Sequence, residues 1–551
     1  MLEGRVSAGD KRAVAAIVLL GAIAFGGALT AGFVWDDILI VEQNPRIRHL
    51  ENIPSFFASG YWGAGYPTGL YRPLPLSVHA AAYALFGLNP AAHHAINIVL
   101  HIASGVLLFL VARRIFPSVW PAWFAAALFA VHPVQSETVI AIVGLSGILS
   151  TLFGLAAWLV AGGGSRGIVL APLLLLLSML AKETGVIWAV PILAEILFIR
   201  RDGRRRAGAA FVAFAGAALL YLIARTAALG GLGVPKAGQI LAGTDIAARV
   251  VTMLRGYAEY ARLLFWPATL SGDYSPGAIP VGGAIDGAAA TGLVLLLLTW
   301  AAVLWSCRES RPALVGLVLF LAALAPVSNV LFPIGAVIAE RFLYPALAGF
   351  SLTAAALFAR AARRRRGVAV AAAFLILLPL AGRSAVRTQD WRSHEAFMES
   401  LIEAMPDSYR AKEALAEKYL REGDYGAALR AAREARSVYP ADLSLVLLEA
   451  RVLAAGSRKG EAAELLRSFV SDHPDDIRAR ILLGETLYDL GRFAEALDQY
   501  KEALRRNGGE PRALIGAGRS HDQLGNRGEA VRFYSRALEV QPDLPDVSMR
   551  L

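Results

Sequence analysis

The sequence has almost no cysteine, few histidines and few charged residues for its length. Cys307 is the single cysteine among 551 residues, which excludes an intrachain disulfide. The nine histidines form no Cys/His cluster with the ligand spacing of a metal site. Charged residues make up 18% of the chain and hydrophobic residues 56%, a proportion that a soluble domain of this size rarely reaches. The composition therefore indicates a membrane protein without a Cys/His metal centre.

The net charge of +10 does not indicate a nucleic-acid-binding protein. No nucleic-acid-binding motif occurs in the sequence. Basic residues also accumulate in the cytoplasmic loops of membrane proteins. The positive charge is therefore attributed to membrane topology, and nucleic acid is not expected as a partner.

Two regions suited to different solvents follow one another along the chain. Long apolar runs occupy residues 1–400, whereas residues 407–551 have the composition of a water-soluble domain. The first apolar run, at about 14–34, is too long for the core of a signal peptide and ends in no clear A-x-A cleavage site. It is interpreted as an uncleaved first membrane span.

Stretches of about 20 mostly apolar residues predict membrane spans. Eleven candidates are present, although several are short and 119–160 divides in more than one way. They are 14–34, 91–112, 119–134, 138–160, 167–181, 184–199, 207–228, 284–306, 312–333, 340–360 and 367–383. The stretch 73–88 is assigned to the outer surface or to a re-entrant helix, and the amphipathic stretch 246–266 to a helix in the membrane interface.

Basic clusters give the spans an orientation. With eleven spans and a cytoplasmic N-terminus, every cluster falls on the cytoplasmic side, as the positive-inside rule requires. The clusters are Arg5/Lys11/Arg12, Arg113/Arg114, Arg166, Arg200–Arg206, Arg308/Arg311 and Arg363–Arg366. The same alternation places the C-terminal region on the outer side of the membrane.

Ionisable residues of both signs gather at the outer ends of the spans, which suggests a site. Asp36 and Asp37 follow the first span, where two adjacent carboxylates suit a general base or the holding of a metal and an acceptor. Alternatively, they border the span or cap the next helix. His93, Asn97 and His101 share one helical face, which indicates a metal site or, more commonly, hydrogen bonds between helices.

The outer side also carries cations that suit a phosphate, because the planar fork of arginine binds phosphate oxygens in pairs. The candidates are Arg72, Lys182, Arg255 and Arg341. Glu183 follows Lys182 and Glu340 precedes Arg341 in the sequence, so either neighbouring pair could instead be a structural ion pair.

The C-terminal region repeats with a period of 34 residues. Small residues at helix crossings, glycine at a turn and proline at the repeat end are the pattern of tetratricopeptide repeats. The recurring residues are Ala428, Ala462, Ala496 and Ala530, then Gly423, Ser457, Gly491 and Gly525, then Pro440, Pro474 and Pro542. The pattern predicts four repeats over 409–544, the second degenerate at Phe469. Such arrays form concave surfaces that bind peptides or proteins, although a purely structural stack is the alternative.

With these motifs the chain resembles the transmembrane-and-tetratricopeptide O-mannosyltransferases of the GT-C class. The resemblance covers nearly the whole length and depends on several segments in order. They are FVWDD at 33–37, YRPL at 71–74, HHAINIVLH at 93–101, HPVQSETVIAIVG at 132–144, AKETG at 181–185 and ERFLYPALAGF at 340–350, followed by the repeats.

The resemblance implies an all-α fold: a polytopic, GT-C-like helical bundle of about 11 spans over residues 1–383, then a soluble α-solenoid. A linker at 384–408 would precede the repeats at 409–544, and a tail at 545–551 would follow them. The activity implied is inverting transfer of a mannose-like sugar from a polyprenyl-phosphate donor to a hydroxyl acceptor, expected to be a protein, at the outer membrane face.

The resemblance also implies roles for individual residues. Asp36 or Asp37 would act as the general base, and cations would stabilise the leaving phosphate. His132 and Glu137 would orient the sugar or the acceptor. The substrate-binding candidates together are Arg72, His132, Glu137, Lys182, Glu183, Glu340 and Arg341. The expected partners are membrane lipid, the lipid-linked sugar donor and a protein or peptide held by the repeats; a divalent metal is a further option.

The alanine- and arginine-rich composition is typical of a high-GC bacterium, which favours the inner membrane, with the N-terminus cytoplasmic and the repeats periplasmic. Three other functions compete with this interpretation. A non-catalytic anchor for the repeats would tolerate asparagine at Asp36 and Asp37. A transporter of lipid-linked intermediates would carry charges deep within spans and inverted repeats. A GT-C enzyme acting on a lipid or glycan would share the catalytic residues and differ in acceptor.

Overall fold

The computed structural model describes residues 7–63, 69–162, 165–200, 204–231, 240–330, 332–440 and 442–541. Within these ranges the chain is helical and contains no strand, apart from an isolated antiparallel bridge between Tyr274 and Ile338. The all-α prediction is therefore confirmed. The chain divides into two compact units, one of Met1–Ser275 with Ile279–Ala404 and the other of Pro276–Ala278 with Met405–Leu551. The division after Ala404 lies within the segment predicted as a linker, 384–408.

The first unit is a bundle of fifteen described α-helices. They are Ala8–Phe25 (α1), Ile53–Phe56 (α2), Pro73–Phe86 (α3), Pro90–Ile115 (α4), Val119–Val131 (α5), Ser136–Ile140 (α6), Leu145–Ala161 (α7), Ser165–Ala181 (α8), Ala189–Ala194 (α9), Arg204–Leu229 (α10), Ile246–Phe265 (α11), Gly287–Glu309 (α12), Arg311–Leu324 (α13), Leu343–Arg387 (α14) and His394–Ala404 (α15). Short 3₁₀ and π segments join several of them.

Six of the described stretches are long and apolar enough to cross a membrane, which confirms a membrane protein. They are Ala8–Thr30, Pro90–Ile115, Ile142–Ala161, Arg204–Leu229, Gly287–Glu309 and Glu340–Trp391. The candidates at 119–134, 167–181 and 312–333 are shorter apolar helices. The candidate at 184–199 is divided among a 3₁₀ segment, α9 and a π segment. The clusters that include Arg5 and residues 201–203 reach outside the described residues.

The long helix α14 is a hairpin, which explains why two predicted spans, 340–360 and 367–383, share one helical stretch. Arg365 has non-helical torsion angles (φ −146°, ψ 80°). Before it, Tyr344 and Phe358 pack on Phe129 and Phe124 of α5. After it, Phe374 packs on Trp123, and the Ser384 hydroxyl donates to the Val131 carbonyl at 2.7 Å. The two halves therefore pass α5 in opposite directions.

Helix α3 occupies the stretch assigned to the outer surface or to a re-entrant helix. Its fourteen residues extend about 21 Å, less than the roughly 30 Å of a bilayer core. Pro73 stands at its first position, where the missing N–H leaves no helical bond unmade. The residue before a proline avoids the helical region. Arg72 accordingly has φ −139° and ψ 69° and lies outside the helix, facing the candidate site.

The second unit contains the four predicted repeats, each a pair of helices. The helices are Tyr409–Glu422 (α16), Tyr425–Val438 (α17), Ser444–Ala455 (α18), Lys459–Asp472 (α19), Ile477–Asp489 (α20), Phe493–Arg506 (α21), Pro511–Gln523 (α22) and Arg527–Val540 (α23). Ala428, Ala462 and Ala496 are fully buried. Ser457 takes a positive φ of 62°, as the glycines of the same grid position do, so the second repeat keeps the turn without its glycine. Pro542 and the tail at 545–551 lie outside the described residues.

Candidate functional site

The candidate site lies in the first unit, where several helix junctions meet. Arg72 precedes α3, Glu137 lies in α6, Lys182 and Glu183 follow α8, and Arg341 precedes α14. Two ion pairs link segments that are distant in sequence: Arg72 with Glu183, and Arg341 with Glu137. The fold therefore brings four of these substrate-binding candidates together as two pairs, with Lys182 near both.

The Arg72–Glu183 pair is bidentate. The Arg72 Nε–H donates to Glu183 Oε2 at 2.9 Å, and an Nη2–H donates to Oε1 at 2.6 Å. Burial opposes the charge on Glu183, but the guanidinium outweighs it and lowers the pKa of Glu183 to about 2. The ring of Tyr61 lies 5.7 Å from Arg72 Cζ. Much of the hydrogen-bonding capacity of Arg72 is thus already used within the protein.

The Arg341–Glu137 pair leaves more of its cation accessible. Glu137 Oε2 accepts from the Arg341 backbone N–H at 2.7 Å, and Oε1 accepts from the Arg341 Nη1–H. The Glu137 side chain is 6% exposed, whereas the Arg341 side chain is 46% exposed. Glu137 therefore fixes both the backbone and the side chain of Arg341, while part of the guanidinium remains open to a ligand.

Unlike Arg72 and Arg341, Lys182 forms no ion pair with a carboxylate among the described residues. Its Nζ lies 5.9 Å from the centroid of the Phe342 ring, and Arg341 Cζ lies 5.5 Å from the same centroid. Burial, reinforced by the charge of Arg72, lowers the pKa of Lys182 to about 8, so the ammonium remains largely charged at neutral pH. Two cations on one aromatic ring suit a bound anion.

The position of Lys182 follows from the AKETG segment. Helix α8 ends at Ala181. The Lys182 N–H donates to the Ser178 carbonyl at 3.0 Å and so completes the last turn of the helix. The chain then turns tightly, with the Gly185 N–H donating to the Lys182 carbonyl at 2.8 Å. A Cβ at Gly185 would lie 2.5 Å from Ser178 backbone and side-chain atoms, so this turn requires glycine.

Asp36 and Asp37 are adjacent in sequence but differ in environment. Asp37 is fully buried; its Oδ1 accepts from the Val143 N–H at 2.9 Å and its Oδ2 from the Val34 N–H at 3.4 Å. Burial is the largest influence and raises the pKa of Asp37 to about 7. Asp36 is partly exposed and lies within electrostatic reach of Arg341 and Tyr61. Asp36 therefore interacts electrostatically with the cation Arg341, whereas Asp37 accepts backbone hydrogen bonds that hold the loop.

His132 and Glu340 occupy buried positions with bonds of their own. The Val134 N–H donates to His132 Nδ1 at 3.3 Å, so His132 Nε2 carries the proton and donates to the Leu264 carbonyl at 3.0 Å. Glu340 Oε1 accepts from the Ser271 N–H and the Tyr274 hydroxyl, each at 2.7 Å. Glu340 therefore pairs with neither Lys182 nor its sequence neighbour Arg341 in the described structure.

Side-chain contacts also show what surrounds the polar face of α4 and the cation Arg255. Asn97 donates to the Ala141 carbonyl at 2.9 Å, and His101 contacts the Tyr344 hydroxyl at 2.9 Å, so this helical face makes bonds between helices. In the described residues, no group of three or more His, Cys, Asp or Glu side chains could hold a metal ion. Arg255, proposed as a phosphate-binding cation, instead bonds Asp286 and the carbonyls of Pro280, Gly282 and Ala284.

Several structural residues of the bundle were missed by sequence reasoning. Glu195 accepts from Arg114 at 2.5 Å and from the Trp158 indole at 2.6 Å, a buried network inside the predicted span 184–199. Its sequence signal was a lone acidic residue within an apolar run. Tyr61 and Phe342, which lie against the cations of the candidate site, carried no sequence signal of their own.

Comparison with known families separates the two units. The family described as "Tetratricopeptide repeat" matches residues 413–477 and 481–545. The second unit is a tetratricopeptide-repeat domain.

Sequence relatives extend over the membrane unit as well. Protein O-mannosyl-transferase TMTC1 of Homo sapiens is 26% identical over 490 residues, covering 77% of this chain and 55% of the relative. Protein O-mannosyl-transferase TMTC3 of Mus musculus is 25% identical over 487 residues, covering 80% and 53%. Protein O-mannosyl-transferase F38B6.6 of Caenorhabditis elegans is 27% identical over 405 residues, covering 71% and 57%.

The curated relatives of this chain are protein O-mannosyl-transferases. The resemblance inferred from the motifs is thereby confirmed. The chain spans about half the length of the curated relatives it matches.

Solved structures match a smaller part of the chain. The crystal structure of MamA is 20% identical with a TM-score of 0.23, covering 25% of this chain and 80% of that one. YrrB, described as a TPR protein with an unusual peptide-binding site, is 21% identical with a TM-score of 0.24, covering 35% and 96%.

Proposed function

We propose that this chain is a membrane glycosyltransferase that transfers mannose from a polyprenyl-phosphate donor to a hydroxyl group of a protein, with inversion at the anomeric carbon. The observation that carries the proposal is the pair of cations, Lys182 and Arg341, on the ring of Phe342, with Asp36 within electrostatic reach of Arg341. The names of the curated relatives support mannose as the sugar and protein as the acceptor.

In the proposed reaction Asp36 is the general base. Its carboxylate takes the proton of the acceptor hydroxyl as that oxygen attacks the anomeric carbon. The new bond from carbon to the acceptor oxygen forms on the face opposite the phosphate, and the bond from carbon to the phosphate oxygen breaks. Polyprenyl phosphate leaves with the electron pair of that bond, which accounts for inversion.

Lys182 and Arg341 would stabilise the leaving phosphate. Charge develops on the bridging oxygen as its bond to carbon breaks, and cations already in place lower the energy of that state without reorganising. Glu137 fixes Arg341, and Arg72 with Glu183 forms a second rigid pair beside Lys182. His132 is left out of the proposed chemistry because backbone groups occupy both of its ring nitrogens.

The acceptor and the location complete the proposal. Tetratricopeptide arrays bind peptides and proteins on their concave surfaces, so the repeats would hold the protein acceptor. The positive-inside alternation supports a cytoplasmic N-terminus with the site and the repeats on the outer side. In a bacterial cell this arrangement corresponds to the inner membrane and the periplasm.

The phosphate site is tested by replacing Lys182. Lys182→Gln keeps the length of the side chain approximately but removes the charge, so we expect the KM for polyprenyl-phosphate mannose to rise about 10-fold or more. The measurement is transfer of radiolabelled mannose by purified protein in liposomes over a range of donor concentrations.

Lys501→Gln is the matched control, because Lys501 is an exposed lysine of the repeats. We expect this variant to keep the wild-type KM for the donor. An unchanged donor KM in Lys182→Gln would contradict the assignment of Lys182 to the donor phosphate.

A further inference from the structure

The backbone immediately before Asp36 has an unusual conformation. Trp35 has φ +54°, in the left-handed region that residues with a Cβ rarely adopt. A non-glycine residue in this region is strained, and the conformation persists only when surrounding contacts hold it. The turn is closed by the Asp37 N–H donating to the Val34 carbonyl at 3.1 Å and the Ile38 N–H to the Trp35 carbonyl at 3.2 Å.

Phe397, from a distant part of the chain, contacts the Trp35 ring. The two rings meet edge to face, with centroids 5.2 Å apart and an interplanar angle of 89°. Phe397 lies in α15, the last helix of the first unit, and is 1% exposed. Edge-to-face contact between aromatic rings is directional, so it favours one orientation of the Trp35 side chain.

Phe397 is itself held tightly. The ring of Trp391 lies 4.5 Å away, centroid to centroid. On another side the Phe397 ring lies against Gly272, where an added Cβ would lie 2.3 Å from Phe397 Cζ. The ring therefore has little freedom to move away from Trp35.

Residues 388–397, which include Phe397, also contact residues 27–32 at the end of the first predicted span. The Gly32 N–H donates to the Arg392 carbonyl at 3.1 Å. Gly27 faces buried Thr388 so closely that a Cβ there would lie 2.3 Å from Thr388 Oγ1. Residues 27–35 and residues 388–397 thus form one packed layer next to Asp36.

We propose that Phe397 is a positioning residue for Asp36: its ring holds Trp35 in the left-handed conformation and thereby sets the direction of the Asp36 carboxylate. The inference deepens the proposed function and depends on it for the role of Asp36. On the C-terminal side of Asp36, the Asp37 carboxylate accepts hydrogen bonds from the backbone N–H groups of Val34 and Val143 and so holds the chain in place. Residues 388–397, which precede the repeats in the sequence, therefore help to position the candidate catalytic base.

The test variant is Phe397→Leu in the full chain. Leucine fills part of the space but cannot make the edge contact, so Trp35 can relax and Asp36 can turn. A small misplacement of a reacting group reduces turnover strongly, and we expect kcat to fall about 10-fold to 100-fold. The donor KM should stay near the wild-type value, because Lys182 and Arg341 lie against the ring of Phe342, whereas Phe397 lies against Trp35 and Trp391.

A second variant, at Gly272, disturbs the contact between Phe397 and Trp35 from another side of the Phe397 ring. Gly272→Ala adds a methyl group where the Phe397 ring lies and should displace the ring. We expect it to lower kcat in the same way. Because both changes act through one contact, the double variant should lose little more than either single variant.

Phe109→Leu is the matched control, since Phe109 is a fully buried phenylalanine of the same unit. It lies twelve residues beyond Asn97 along α4, about 18 Å away along the helix axis. We expect Phe109→Leu to leave kcat unchanged once rates are divided by the folded fraction. A kcat equal to the wild type in Phe397→Leu, or an equal loss in the control, would overturn the inference.

Hydrogen–deuterium exchange of the peptide containing residues 33–40 gives a readout that needs no activity. We expect faster exchange in Phe397→Leu and in Gly272→Ala, and wild-type exchange in Phe109→Leu. Unchanged exchange in both test variants would overturn the positioning role even if the wild type transferred no sugar. If the wild type transfers no sugar while both test variants still exchange faster than the wild type, the result would overturn the proposed function alone.

Discussion

At the residue scale, the two adjacent aspartates differ in burial and in hydrogen bonding. Asp37 is buried and accepts two backbone N–H bonds, whereas Asp36 is partly exposed near Arg341. A catalytic base must reach a substrate, so exposure and the neighbouring cation favour Asp36. The pKa of about 7 at Asp37 reflects burial and by itself does not identify a base.

The raised pKa of Asp37 makes the stability of the protein depend on pH. Between the ordinary value of 3.8 and about 7, folded Asp37 keeps a proton that the unfolded chain releases. The free energy of unfolding therefore falls as pH rises through this window, by on the order of 4 kcal/mol in total, and this contribution levels off above it. We expect this contribution to appear as a fall in the unfolding temperature of the wild type, relative to that of Asp37→Asn, between about pH 5 and about pH 8 in detergent.

Asp37→Asn supplies the comparison, because asparagine does not titrate in this range. Between about pH 4 and about pH 7, the unfolding temperature of the wild type should fall relative to that of the variant as pH rises. Parallel pH profiles for the two proteins would show that Asp37 does not titrate there.

The sequence located the residues of the candidate site but did not predict their pairing. It placed Arg72, Glu137, Lys182 and Arg341 at the outer ends of spans. Neighbours in sequence suggested the pairs Lys182–Glu183 and Glu340–Arg341, whereas the fold pairs Glu183 with Arg72 and Arg341 with Glu137. These contacts span 111 and 204 residues, so they depend on the packing of helices, which local patterns do not encode.

At the scale of elements, apolar length predicted helices well and their ends less well. The stretches 91–112 and 207–228 closely match α4 and α10. The stretch 184–199 does not form one helix, because it begins with a 3₁₀ segment and ends in a π segment. The two predicted spans on either side of Arg365 follow one another in α14, and the contacts that each half makes with α5 reveal the reversal.

Close packing of α13 against α14 gives a prediction at this scale. A Cβ at Gly349 would lie 2.4 Å from the Gly316 carbonyl oxygen, so the two backbones approach at small residues, as membrane helices commonly do. Gly349→Ala should force the helices apart. We expect it to lower the unfolding temperature in detergent, consistent with overpacking costs of about 1–3 kcal/mol.

Gly382→Ala is the matched control in the second half of the same helix, where an added Cβ would meet nothing within 4 Å. It should keep or slightly raise the unfolding temperature, because alanine favours helix over glycine. Equal destabilisation by both substitutions would show that the close approach at Gly349 does not matter.

At the scale of the whole molecule, composition and period predicted both regions. The change from apolar to polar sequence near residue 400 matches the division of the structure after Ala404. The repeats were predictable in detail because a 34-residue period repeats the same contacts, such as those of Ala428 and Ala462. The packing of residues 388–397 against the turn at Trp35 was not predictable, because no repeat period and no sequence motif marks these contacts.

The most direct test of the account is transfer of radiolabelled mannose from polyprenyl-phosphate mannose by purified wild type and Asp36→Asn in liposomes. Glu51→Gln is the control, since Glu51 is a highly exposed acid in the segment between α1 and α2 that also contains Asp36. The account predicts transfer by the wild type and the control and a loss of about 100-fold or more in Asp36→Asn. Equal transfer by Asp36→Asn and the wild type would contradict the proposed base, and no transfer by the wild type with any lipid-linked sugar would contradict the proposed enzyme.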